Sequence, residues 1–247
     1  RRGAHHALAS SASPVLAFVR EHGTETLLCL ANTSAGAVGG LTVSGTAASL
    51  SGIDTALEGT DVLALDHAVA RVLLAHALAM GWGGIPVIWS GDELAMPNDP
   101  AWADEPGHES DNRWAHRPRL DWDRATRRHT PGTVEERVFG GLRHLGQVRA
   151  ALPHLHAAVQ AEVLDIDDPG VLPVLRRHPI GPMLGLYNVT DTYRAYPAAR
   201  LRDLGLVGPV DAISGREVIA SSDDGIWLPP YAFWWVVDRV SGQRQPR

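Results

Sequence analysis

The groups best suited to chemistry fall between Gly91 and Trp122. Asp92 and Glu93 end a short apolar run, and paired carboxylates are common means of acid–base or nucleophilic work. Adjacent residues at a strand end point to opposite faces, so these two cannot address one scissile bond together. The expectation is one carboxylate that anchors a loop or supports a site, with Asp92 as the substrate-side candidate, and one that is structural. Asp99, Asp104, Glu105, Glu109 and Asp111 follow. Their spacing lacks the alternating oxygen ligands and central glycine of a calcium loop, so a solvated acidic loop is expected and no metal site. Trp102, Trp114 and Trp122 could stack on the apolar faces of sugar rings, or could simply pack the loop. His116 is expected to be a packed, hydrogen-bonded histidine. The sequence shows no Cys/His cluster with zinc spacing, no glycine loop for phosphate and no Ser/His/Asp elbow motif.

These residues need a scaffold. The chain has 247 residues, with 45% hydrophobic and 20% charged, which suits one large or two modest globular domains. A net charge of -6 argues against nucleic-acid and anionic-membrane partners, because both need a basic face. The single cysteine, Cys29, allows no internal disulfide and sits among leucines, as a buried strand thiol would. No apolar run of membrane-spanning length and no signal-peptide pattern is evident, so a cytoplasmic location is expected. All 22 basic residues are Arg, which reads as coding bias.

Periodicity gives the elements. Residues 15–20 and 26–31 read as a β-hairpin, and 35–46 as a connector. Residues 61–80 read as a helix with a stripe of Val69, Val72, Leu73, Ala77 and Met80, stopped by Gly81, Gly83 and Gly84. The run 85–89 has the look of a buried parallel strand, followed by a long polar loop over 90–132. Thr133-Val134-Glu135-Glu136 predicts a capping box and an amphipathic helix to about residue 150. From 152 onward, short apolar runs between Gly, Pro and Asp turns predict a small antiparallel β domain. The hairpin also recurs. Residues 15–32 laid on 171–188 share Val, Leu, Arg, His, Leu, Leu and Asn in register, ending with Asn32 on Asn188, which points to duplication.

Several motifs resemble one family. Val43-Ser44-Gly45-Thr46-Ala47-Ala48-Ser49-Leu50, the following helix, and Gly84-Ile85-Pro86-Val87-Ile88-Trp89-Ser90-Gly91-Asp92-Glu93 resemble the last helix and strand of the (β/α)₈ barrel of amylosucrases, in the alpha-amylase superfamily (glycoside hydrolase family 13). Arg113-Trp114-Ala115-His116-Arg117-Pro118 resembles the amylosucrase loop after the eighth strand, and is the most specific of these motifs. Asp211-Ala212-Ile213-Ser214-Gly215-Arg216-Glu217 and Leu228-Pro229-Pro230-Tyr231 are similar to closing motifs of the superfamily's β-sandwich. Residues 1–38 resemble the start of that domain in a trehalose-synthase-like cousin.

The resemblance implies an α/β remnant, the last helix–strand–helix of a (β/α)₈ TIM barrel, followed by an all-β antiparallel sandwich. The expected divisions are 1–42 for the hairpin segment, 43–150 for the barrel part, 151–240 for the sandwich and 241–247 for a tail. The implied parent activity is transfer of glucose from sucrose to an α-glucan through a covalent glucosyl-enzyme, with no organic cofactor. An α-glucosidase or trehalose-synthase-like activity, and a non-catalytic remnant or weak glucan-binding module, are the alternatives. Retaining cleavage needs two carboxyl groups about 5–5.5 Å apart, and the resemblance places them on strands that residues 43–150 do not supply. No catalytic residue is therefore assigned, and this chain alone is expected to be inactive. By resemblance Arg113 closes the sucrose pocket with an Asp from the preceding half. Asp92, Trp102 and Trp114 complete the expected substrate-binding set. Self-association through exposed barrel surfaces is also expected.

Overall fold

The computed structural model describes residues 4–8, 15–22, 25–32, 45–59 and 61–239. In chain order the elements are β1 (Ala4–Leu8), β2 (Val15–His22), β3 (Glu25–Asn32), α1 (Ala47–Ser51), α2 (Ile53–Glu58), α3 (Val62–Trp82), α4 (Trp122–Arg127) and α5 (Val134–Ala151). There follow β4 (Ala161–Val163), β5 (Val171–His178), β6 (Gly181–Asn188), β7 (Arg194–Pro197), α6 (Ala198–Asp203), β8 (Pro209–Asp211), β9 (Gly225–Leu228) and β10 (Phe233–Asp238). Helices followed by antiparallel sheets are the expected barrel remnant ahead of a β domain. Two compact units are present, Arg1–Val72 with Ile88–Phe139, and Leu73–Val87 with Gly140–Arg247. One boundary between the units falls inside α5, between Phe139 and Gly140, and α3 is divided between the two. The predicted tail and most of the predicted connector lie outside the described residues.

In the first unit, β1, β2 and β3 form an antiparallel sheet in that order. The start of α3 is capped by Asp61, whose Oδ1 accepts from Leu63 N at 2.9 Å and Ala64 N at 3.2 Å. Val69 and Val72 are buried as the stripe predicts. Arg71 reaches back to the Ser51 carbonyl through Nε and Nη2, at 2.9 and 2.7 Å. At the start of α5 the Thr133 hydroxyl accepts from Glu136 N at 3.2 Å, so the predicted cap forms. Glu135, one residue into α5, is buried between Arg124 Nε at 2.7 Å and Arg127 Nη2 at 2.8 Å. Burial pushes its carboxyl up, but the hydrogen bonds from Arg127 and Arg124 prevail and hold it below its ordinary value.

Two sequence expectations are corrected here. By length and composition, the 21-residue α3 is long and apolar enough to cross a membrane, contrary to the reading that no run reaches that length. Scattered Asp66, His67, Arg71 and His76 hide a high mean hydropathy. Both of its formal charges are satisfied in the unit, since Asp66 pairs with Arg137 at 2.8 Å and Arg71 with Ser51. The run 85–89 forms no strand. Ile85 is 90% and Val87 82% exposed, because among the described residues no strand runs beside it to complete a ladder.

In the second unit a five-stranded antiparallel sheet runs β4-β5-β6-β10-β8, and β7 pairs with β9. Leu175, Leu184, Leu186, Leu206, Ile226 and Val236 form the core, all at 1% exposure or less. Trp235 lies opposite Gly185 and its indole donates to Tyr187 Oη at 3.1 Å. α3 continues through Gly81 to Trp82, and the glycine makes room for the sheet, since a Cβ there would collide with Tyr187 Oη and Trp235 Nε1. Arg176, fully buried, donates to four carbonyls, those of Trp82, His154 (2.7 Å), His156 (2.9 Å) and Val159 (2.7 Å). Gly83, at φ 118°, leaves room for that guanidinium. Arg149 adds bonds to the carbonyls of Met80 and Gly84. Buried Asn188 donates through Nδ2 to the carbonyls of Thr192, Leu228 and Pro229.

The predicted duplication extends to the backbone. Val15 pairs with Asn32 and His22 with Glu25; Val171 pairs with Asn188 and His178 with Gly181. The third strand repeats as well, because His5 lies opposite Arg20 just as Ala161 lies opposite Arg176. Arg20 and Asn32 thus hold the register positions of Arg176 and Asn188.

Candidate functional site

The candidate residues sit in the first unit, on a loop folded by local polar bonds. Gly91 takes φ 102°, a left-handed value that turns the chain into the 3-10 turn Asp92–Leu94. Glu93 closes that turn by accepting from Gly91 N at 2.8 Å. Asp92 Oδ1 accepts from Ala47 N at 3.0 Å, and Asn98 Oδ1 accepts from Thr46 N at 2.9 Å. Asn98 N in turn donates to Ser49 Oγ at 2.8 Å. Asp92 and Asn98 therefore bind the first turn of α1, whose amides would otherwise lack partners. Asp92 is a loop anchor in this structure, and Glu93 is its structural neighbour. Asn98 had no sequence signal beyond its place in a turn-rich stretch.

Beyond this anchor the loop closes on itself through Asp99 N to the Ala115 carbonyl at 2.7 Å. A cavity of about 260 Å³ lies inside the closure, lined by Asp99, Trp102, Glu105, His108, Trp114, Arg117 and Arg119. Leu94, Met96, Ala125 and Leu120 form a small apolar cluster in the same unit. Trp114 is already engaged: the His108 ring stacks on it at 3.8 Å and 6°, and Arg117 lies 5.4 Å from its centroid. Trp102 lines the cavity half-buried, while Trp122 is 73% exposed on α4. Of the three indoles, Trp102 has the position best suited to meet a small ligand. Glu105 pairs with Arg119 at 3.0 Å and lies 3.7 Å from His108 Nδ1. The cavity thus offers one indole, two carboxylates and two guanidiniums, a lining suited to a small polyhydroxylated molecule.

Arg113 makes a two-point fork within its own turn. Its Nε donates to Asp111 Oδ1 and its Nη2 to Asp111 Oδ2, both at 2.7 Å. Asp111 also caps the 3-10 turn Asn112–His116 by accepting from Arg113 N at 3.1 Å. The Arg113 guanidinium holds the Asp111 carboxyl down at about 2. The resemblance implied an Asp from the preceding half of the parent; among the described residues the fork is made with Asp111, two residues away, because the tight turn brings both ends together. Arg113 is outside the cavity lining. His116 is partly buried, with no hydrogen-bond partner for Nδ1 among the described residues. Burial, then the nearby Arg117, lowers its pKa. The expected packing of His116 is present, and a hydrogen bond at Nδ1 is not.

Comparison with known proteins adds the decisive observation. The family model for the amylosucrase C-terminal domain matches residues 162–237. These residues are similar to an amylosucrase C-terminal domain, and the match covers under a third of the chain. Solved structures agree on the fold. The protein AmyP bound to maltose aligns with a TM-score of 0.54 at 16% identity, over 70% of this chain and 36% of that one. An AmyP variant bound to maltotriose aligns at 0.55 and 14%, over 69% and 35%. A weaker likeness, at TM-score 0.45 and 20% identity, is to an Anoxybacillus alpha-amylase, over 71% and 34%. The chain spans about a third of the length of these structures.

Proposed function

We propose that this chain contributes the carboxy-terminal part of a sucrose-using glucosyltransferase that passes glucose to an α-glucan. The observation that carries the reading is the amylosucrase-type domain over 162–237, preceded by a loop that holds Arg113 in a rigid fork and Trp102 at a small polar cavity. In this reading the opposed carboxyl groups that split sucrose come from barrel strands outside 43–150. The fork braces the turn beside the cavity without lining it, and Trp102 offers an apolar face to a sugar ring. The α1 segment and the loop after it are clamped by Asp92 and Asn98, which sets the loop's height over that pocket.

The purified chain should release no fructose from sucrose above a no-enzyme control. It should still show weak sucrose contacts by saturation-transfer NMR, reduced at least severalfold in Trp102→Ala. Fructose release by this chain, lost in Arg113→Ala, would falsify the proposed division of labour. Contacts with trehalose or maltose that exceed those with sucrose would move the assignment to a trehalose-synthase-like or α-glucosidase parent.

A further inference from the structure

The second unit holds a cavity of its own. About 490 Å³ opens between the turn after α5 and the end of β5, with His156, Val159, Gln160, Glu162, Arg177 and His178 in its lining. Arg176 stands directly behind this wall. Its Nη2 donates to the carbonyls of His156 at 2.9 Å and Val159 at 2.7 Å. It is fully buried and, among the described residues, has no carboxylate partner. A buried charge is screened much less than an exposed one, so its field reaches the cavity. Arg177 brings a second positive charge to the wall. Glu162, the one carboxylate in the lining, lies 3.4 Å from Arg177 Nε and offsets one of the two. The local excess of positive charge runs against the net charge of -6.

The imidazoles are set as donors. His156 Nδ1 accepts from Ala158 N at 3.1 Å, and His178 Nδ1 accepts from Ile180 N at 3.2 Å. Each neutral ring therefore carries its proton at Nε2, the nitrogen left to meet a ligand. A protonated Nε2 cannot ligate a metal, so the pair suits an acceptor and not a cation. Gln160 adds an amide donor. The donors come from two segments, the turn after α5 and the end of β5. A tetrahedral group with three acceptor oxygens can meet both at once. We propose that this cavity binds a phosphate group, free or esterified, held by Arg177 and the Nε2–H groups of His156 and His178 in the field of buried Arg176. Its volume leaves room for a body of monosaccharide size beside the phosphate.

Amide correlation spectra of the full chain, at one fixed pH and low ionic strength, test this. Inorganic phosphate and glucose 1-phosphate should each give saturable shifts confined to the amides around 156–162 and 177–180. Tighter binding of the ester supports a sugar phosphate as the source, and equal binding supports the free anion. Arg177→Gln should weaken binding about threefold, and Glu162→Gln, which frees Arg177 from its competing carboxylate, should tighten it about threefold. Both side chains are more than half exposed, so neither substitution should unsettle the sheet, and the dispersion of the same spectra checks this. A pair with only a structural role would not give opposite signs. The absence of saturable shifts, or a change of the same sign in both variants, overturns the proposal. So does binding of acetate as tight as that of phosphate, or binding of glucose as tight as that of glucose 1-phosphate.

Discussion

Arg176 shows what a fully buried charge does in this molecule. Among the described residues it has no carboxylate partner, yet its donors reach four backbone carbonyls, at the end of α3 and in the turns after α5. Burial, then the nearby Arg149, lowers its pKa. Replacing it by Leu leaves those acceptors without partners in a dry site, and should cost roughly 3–5 kcal/mol in urea unfolding of the full chain. His154 stands beside it, 5.4 Å from the His178 ring, with Nδ1 unpartnered among the described residues. Burial, then His178 and Arg176, lowers its pKa below the ordinary 6.5. The unfolded chain therefore takes up a proton at this site before the folded one does. The stabilisation is complete above pH 6.5 and declines as pH falls below it toward the depressed folded value. His154→Leu should flatten the stability–pH slope in that window; an unchanged slope would show that another group titrates there.

Among the elements, 85–89 is the instructive case. Its residues spell a strand, yet a strand is a property of pairs, and among the described residues no strand runs beside it. With Ile85 and Val87 so exposed, Ile85→Glu with Val87→Glu should change the unfolding midpoint little, by less than about 0.5 kcal/mol, while raising solubility. A large loss of stability would mean that the run is packed in solution. The helices α3 and α5 were legible because capping residues and apolar stripes are local signals. Gly81 was misread as a stop, since its reason lies with Tyr187 and Trp235, more than a hundred residues further along. The short helices α1, α2 and α6 left little periodic signal in the sequence. The Arg113 motif was visible, but its pairing with Asp111 depends on a turn geometry that spacing alone does not specify. That one of Asp92 and Glu93 would anchor the loop was the more legible, because adjacent carboxylates cannot share a target; which of the two does so was not.

For the whole molecule the question is which unit holds the fold. The second unit has a continuous apolar core and a set of buried side chains that tie sheet to helix end. The first relies on a smaller cluster and on a loop braced by polar bonds. Hydrogen exchange should therefore find its slowest amides in β5, β6 and β10, and its fastest in 85–90 and 98–120. Best protection over 61–90 would contradict this order. Trp235 carries one more consequence. It is fully buried beside Tyr187, whose hydroxyl burial pushes up to about 12, so the phenol stays neutral throughout ordinary buffers. That indole is consequently a built-in optical gauge: its emission should stay blue-shifted and shielded from acrylamide while the sheet remains docked on the end of α3.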